Sequence, residues 1–210
     1  MCKFAKRLFA VLACVLAVSC SRLPSRIPMP KLDPATAATE AIALYDQDGD
    51  GALSADELEA SNGLKSAAAM IDFDQDKQLS ADEIETRIAA WLESQQALLV
   101  LPCEVRFRGQ PLEGAMVRFI PDPFLGEAAK PASAVTDQYG VANVVHAPED
   151  RPDPEFPQGV GVGFYRVEIS KEVDGKERLK KKYNSESTLG QEVAPGAAGL
   201  GQGMLRFDLR

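Results

Sequence analysis

Asp46, Asp48 and Asp50 stand at alternate positions of "DQDGDGALSADE" (residues 46–57), with Gly51, Ala52, Ser54 and Glu57 behind them. A second stretch, "DFDQDKQLSADE" (residues 72–83), repeats the spacing with Asp72, Asp74, Asp76, Gln78, Ser80 and Glu83. Two like charges about 4 Å apart repel by about 1 kcal/mol even in bulk water. A hard divalent cation between the carboxylates reverses the sign of that energy. Such an ion takes about six to eight oxygens, from carboxylates, backbone carbonyls, hydroxyls and water, and these residue types supply them.

The pattern resembles the calcium loop of the EF-hand family, in which oxygens from positions 1, 3, 5, 7, 9 and 12 surround the ion and glycine at 6 makes the turn. On that resemblance Asp46, Asp48 and Asp50 take positions 1, 3 and 5 and Gly51 takes 6. Ala52 offers its backbone carbonyl at 7, Ser54 ligates at 9 directly or through water, and Glu57 closes at 12. In the second loop Asp72, Asp74, Asp76, Gln78, Ser80 and Glu83 fill the same roles, and "LSADE" recurs letter for letter. Leu53 and Leu79 at position 8 are expected to pair the loops. Lys77 departs from the pattern. It stands where the backbone must be left-handed, which costs a non-glycine residue about 1–2 kcal/mol, and it brings a positive charge. The second site is expected to bind about tenfold more weakly, a difference of about 1.4 kcal/mol.

The elements that must position these loops read as short helices. "TEAIALY" leads into the first loop with Ile42 and Tyr45 on one side, and Asn62-Gly63 reads as a helix stop. "LKSAAAMI" leads into the second, and "ADEIETRIAAWLESQ" leaves it with Ile84, Ile88, Trp91 and Leu92 at helical spacing. A segment this small has little core, and a bound ion can replace core as a source of stability. A sensor that opens a groove uses a Met-rich surface, and this segment has only Met70. A structural calcium clip is therefore the expectation, with an envelope calcium sensor as the alternative.

Charge is concentrated in the same segment. The 210-residue chain has a formal net charge of −8, and residues 39–95 hold fourteen acids against three bases. Nucleic acid is not expected as a partner, because phosphate binding needs a basic surface. The one basic cluster, residues 178–182, is short, lies beside acids, and reads as a solvated strand face.

Residues 1–19 begin with Lys3, Lys6 and Arg7 and continue as an apolar run over residues 8–18. That is short of the roughly 20 residues a membrane span needs, and it fits a secretory signal. "AVSC" at its end resembles the lipobox of bacterial lipoproteins. The resemblance implies cleavage before Cys20 and a diacylglyceryl group on its thiol, hence a lipid-anchored protein of the cell envelope. Cys14, after "VLA", is a competing position, though it leaves an apolar core shorter than the usual 7–15 or so residues. Ser21 after the cysteine implies sorting to an outer membrane. Residues 20–38 carry four prolines and read as an extended tether, at about 3.1 Å per residue. Cys103 then has no partner, so no disulfide framework is available; it reads as a buried, inert thiol.

From residue 98 the texture turns to strands. Apolar runs break at Gly109-Gln110-Pro111, Gly114 and Gly140, and Asp174-Gly175 is a preferred pair for a tight hairpin. "VRFRGQPLEGAMVRFIP", "KPASAVTDQYGVANV" and "GFYRVEISKEVDGKE" resemble the carboxypeptidase regulatory-like modules, which share a transthyretin-like (prealbumin-like) sandwich. That likeness implies a structural or binding accessory and carries over no catalytic residue. Two long loops, 147–163 and 183–203, are candidates for contact with an unidentified protein or glycan partner, with Phe156, Tyr165 and Tyr183 as anchors. His146 is the only histidine, stands at a strand end with no nucleophile motif nearby, and reads as a surface residue. The expected fold is therefore two-domain. A small all-α EF-hand pair (39–95) precedes an all-β antiparallel sandwich (98–210), the whole binding calcium without catalysis.

Overall fold

Asp33 and Pro34 start the first helix. The Asp33 carboxylate accepts the Thr36 N–H at 2.8 Å, and the fixed φ of proline suits the first helical position, so helix α1 runs Pro34–Tyr45. The computed structural model describes residues 27–151 and 158–210; residues 1–19, Cys20 and Phe156 lie outside the described residues. Helix α1 begins inside the span expected as a tether, and Met29 and Leu32 ahead of it already pack on the core. From residue 27 onward the proline-rich stretch lies on the body, because its apolar side chains find a surface to cover. Among the described residues, no helix is long and apolar enough to cross a membrane.

The first acidic loop contains strand β1 (Ala52–Leu53) and runs into a 3-10 turn (Glu57–Ala60) and then helix α2 (Asn62–Ile71). The second contains β2 (Leu79–Ser80) and ends in the first turn of α3 (Ala81–Glu93). Ile84, Ile88 and Trp91 are buried on one face of α3, as their spacing predicts. The reading of Asn62-Gly63 as a helix stop is overturned. Both residues lie in the first turn of α2, behind Ser61, whose hydroxyl accepts the Leu64 N–H at 3.2 Å. Gly63 is needed for close approach, since a Cβ there would come within 2.5 Å of Asp122 Oδ2 and 2.7 Å of the Tyr165 nitrogen. Gly190 answers it from the sheet, where a Cβ would fall 1.7 Å from the Asn62 carbonyl oxygen.

The remaining strands are β3 (Leu98–Leu99), β4 (Leu101–Phe107), β5 (Gln110–Pro111), β6 (Met116–Pro121), β7 (Ala132–Val135) and β8 (Val141–His146). They continue with β9 (Val160–Gly161), β10 (Gly163–Ser170), β11 (Glu172–Val173), β12 (Lys176–Glu177), β13 (Leu189–Val193) and β14 (Leu205–Leu209). Eight of them form one sheet in the order β13-β10-β6-β7-β8-β4-β14, with β5 paired to β4. The expected two-sheet sandwich is instead a single sheet, strongly curled into a half-barrel. Its two halves join where β7 and β8 pair over only Ala132↔His146 and Ser133↔Val145. So short a ladder lets twist accumulate, and Phe119 and Val167 of one half reach Val105 and Phe207 of the other in one buried cluster. The sheet is antiparallel apart from β14, which runs parallel to β4. The hairpin at Asp174-Gly175 forms between β11 and β12 with both residues at positive φ, 54° and 70°. The basic cluster beyond it is exposed at Arg178, Lys180, Lys181 and Lys182, on a connection and not on a strand.

The N-terminal helices precede the antiparallel sheet as expected, and the two share a core. The helices pack onto the sheet, and one buried cluster joins Leu53, Ile88 and Trp91 to Phe124, Phe164 and Ala194. Along β10, Phe164 contributes to this shared cluster while Tyr165 contributes to the interior of the half-barrel. Successive strand residues face opposite sides, so one strand serves both cores.

Candidate metal centre

Each acidic loop is shaped by bonds from its own backbone to its own carboxylates. In the first, Asp46 accepts the N–H groups of Gly49 (2.6 Å) and Gly51 (3.0 Å). Asp48 accepts from the Asp50 N–H (3.1 Å) and Asp50 from the Ala52 N–H (2.9 Å). The chain is thereby curled round the acids. One carboxylate oxygen from each of Asp46, Asp48 and Asp50 lies within 4.8 Å of the others, and the same holds for Asp72, Asp74 and Asp76. Each triad could hold a metal ion, in the manner of EF-hand-like loops.

Glu57 and Glu83 close the loops from behind. The buried Glu57 carboxylate accepts the Gln47 N–H (2.7 Å), the Ser54 N–H (2.8 Å) and the Ser54 hydroxyl (2.7 Å). The bonds from Ser54, Gln47 and Asp48 lower its pKa to about 2, so it is an anion at any ordinary pH. Glu83 does the same at Phe73 (2.8 Å) and Ser80 (2.9 Å). Burial pushes its pKa up, but the bonds from Ser80, Phe73 and Asp74 outweigh that and hold it below the usual carboxylate range. Ser54 and Ser80 are thus tied to the position-12 acids. Ala52 opens β1 and Gln78 immediately precedes β2. The two strands pair antiparallel as Ala52↔Ser80 and Leu53↔Leu79, which joins the loops at the expected leucines.

The backbone confirms the strain expected at Lys77, whose φ is 72° against 89° at Gly51. It also reveals a second left-handed position that motif reading missed: Gly49 (78°) in the first loop and Gln75 (63°) in the second. The signal was present in "DQDGDG", where two glycines follow two aspartates. One further asymmetry is polar. Asp46 Oδ1 receives the Gly49 N–H, whereas its counterpart Asp72 Oδ1 is buried with no hydrogen-bond partner. A carboxylate oxygen in that condition suits a cation.

Other expectations divide. Cys103 is fully buried on β4, and burial pushes its thiol up to about 12, so it is inert as expected. His146 is not a surface residue. It is buried, its Nε2 accepts the Gly161 N–H at 2.8 Å, and its Nδ1 lies 2.8 Å from the Pro131 carbonyl. An N–H can only donate, so Nδ1 carries the proton, and the ring ties the end of β8 to β9 and to the connection ahead of β7. Tyr165 and Tyr183 are buried and present no anchor to a partner. Two carboxylates that no motif marked complete the surroundings. Asp122 accepts from the Tyr45 and Ser61 hydroxyls, both at 2.8 Å. Glu192 accepts from Arg87 Nε (2.6 Å), Arg87 Nη2 (2.9 Å) and Trp91 Nε1 (2.7 Å). Neither a protein family, nor a curated protein, nor a solved structure matches the chain.

Proposed function

We propose that this chain is a calcium-binding, lipid-anchored protein of the bacterial cell envelope, in which calcium clips the helical pair and the sheet serves as a structural or binding module without catalysis. The observation that carries the reading is the convergence of three aspartate oxygens within 4.8 Å in each of two loops, backed by Glu57 and Glu83 and joined through β1 and β2. Calcium fits because all the donors are hard oxygens and Asp48, Asp50, Asp74 and Asp76 are exposed, so water can complete the shell. Magnesium demands tighter octahedral geometry and keeps its water. Attachment through Cys20 and an envelope location rest on the signal and lipobox resemblance. The carboxypeptidase regulatory-like resemblance supports an accessory role, facing a protein or glycan.

The test is calorimetric titration of the full chain in detergent with calcium, and with magnesium as control. Two sites at about 10⁻⁴–10⁻³ M, the range of extracellular modules, support a structural clip. Micromolar affinity with rejection of magnesium supports the sensor alternative. No heat at either loop sinks the calcium reading.

A further inference from the structure

A helical pair carrying two metal loops has an apolar face, and the question is what covers it. Leu53 and Leu79, from the two strands that join the loops, are buried in the same cluster as Ile84, Ile88 and Trp91 of α3. The other side of that cluster is the chain's own sheet. The Trp91 and Phe164 rings lie 4.5 Å apart, Phe124 lies 6.0 Å from Phe164, and Tyr45 meets Phe124 edge-on at 6.3 Å.

Polar contacts lock this face at residues that border the loops. Tyr45 directly precedes Asp46, and Ser61 follows the turn that Glu57 opens. The hydroxyls of both converge on the two oxygens of Asp122, in the connection after β6. On the far side of the second loop, α3 carries Glu83 in its first turn and Arg87 and Trp91 further along. Those two bond Glu192 of β13. Between the loops, the Asn62 side chain donates to the Ser187 carbonyl at 2.7 Å, and Gly63 and Gly190 let the backbones touch. The first loop is thus fastened on both flanks to Asp122, whose own N–H is bonded to the Phe164 carbonyl of β10, and the second is fastened through α3 to Glu192 of β13.

We propose that the sheet of this same chain is the target of the metal-loop pair: ion binding at the loops and docking of the helices on β10 and β13 reinforce one another. The proposal rests on the calcium reading above and names the partner for it. By reciprocity, the factor by which a bound ion strengthens docking is the factor by which docking strengthens ion affinity. Wherever the loops relax without an ion, Tyr45, Ser61 and α3 shift against their anchors, and the Phe164 face begins to open.

Trp91 is the only tryptophan and lies in the docking face, so its fluorescence reports docking directly. The full chain in detergent is stripped with a calcium chelator and then titrated with calcium chloride. Trp91 emission, amide exchange in β10 and β13, and binding heat are followed together. The expected result is a red shift and faster exchange on stripping, both reversed by calcium. Asp122→Ala, which removes no ion ligand, is expected to weaken calcium binding about tenfold, within the usual span of coupling between sites. Glu192→Gln gives a second variant that keeps the shape of the side chain, with the same expected direction. Binding heat with no change in Trp91 emission or exchange, and unchanged affinity in both variants, overturns the proposal and leaves the calcium reading intact. Absence of heat in the unmodified chain overturns both.

Discussion

The two acidic loops have the same backbone made from different residues. The first places Gly49 and Gly51 at its two left-handed positions, and the second places Gln75 and Lys77 there. Glycine adopts that conformation freely, whereas a residue with a Cβ loses about 1–2 kcal/mol. The shape nevertheless persists, because Asp72 and Asp76 still accept the Lys77 and Gln78 N–H groups (3.1 and 2.8 Å) and β2 still pairs with β1. Carboxylate-to-backbone bonds and strand pairing therefore hold the loop, and glycine only lowers its cost. The loops differ at one carboxylate oxygen: Asp46 Oδ1 accepts the Gly49 N–H, and Asp72 Oδ1 has no hydrogen-bond partner. The anchors differ as well: the first loop is held to the sheet by neutral hydroxyls on Asp122, the second by the buried ion pair of Arg87 and Glu192.

The largest effect is expected from breaking the second anchor. Glu192→Ala leaves the Arg87 guanidinium, its side chain 14% exposed, without its partner. Breaking a buried pair from one side costs about 3–5 kcal/mol. Thermal melting should show a loss of that size, and a loss below about 1 kcal/mol, the range of exposed ion pairs, refutes the account of that anchor.

The next effect sharpens the comparison of the loops themselves. Lys77→Gly removes the left-handed strain and the positive charge together. It should raise calcium affinity at the second site about tenfold, or about 1.4 kcal/mol, with Gly51→Lys lowering the first in the opposite sense. If calorimetry finds the two sites unchanged in both variants, strain at position 6 does not govern their difference.

The smallest effect is in pH. Burial raises the Asp122 pKa above the ordinary carboxylate range, against the lowering influence of Tyr45, Ser61 and Arg166. A group whose folded pKa is raised binds its proton more readily in the folded state. Its contribution to stability is complete below the ordinary aspartate value and fades as pH rises through the folded one. Asp122→Asn removes this slope, so the stability of the variant relative to the unmodified chain should improve as pH rises across that window. Melting curves in chelator at several pH values measure it, and parallel pH profiles for the two proteins count against it.

What could be read from the residues was local. The ligand spacing, the leucine at position 8, the left-handed demand at Lys77 and the Asp174-Gly175 hairpin each depend on neighbours within a dozen positions. Cys103 was legible for a similar reason, standing within an apolar run that forms a buried strand. His146 and Asn62-Gly63 were misread because their roles depend on distant groups, the Gly161 N–H and the sheet backbone at Gly190. Asp122 and Glu192 gave no signal at all, because a lone acid among strand residues looks like any solvated one.

The sequence by itself determined the two carboxylate loops, since a cluster of side chains a few positions apart needs no other part of the fold to be recognised. Only the tertiary structure decided that the helices share a core with the sheet, that the sheet curls as one body, and that two unmarked acids fasten the loops to it. Those outcomes arise from contacts between distant segments, such as Asn62 and Ser187, 125 positions apart. Burial, shape and hydrogen bonding select such contacts after the chain has collapsed, and no pattern of neighbours encodes them.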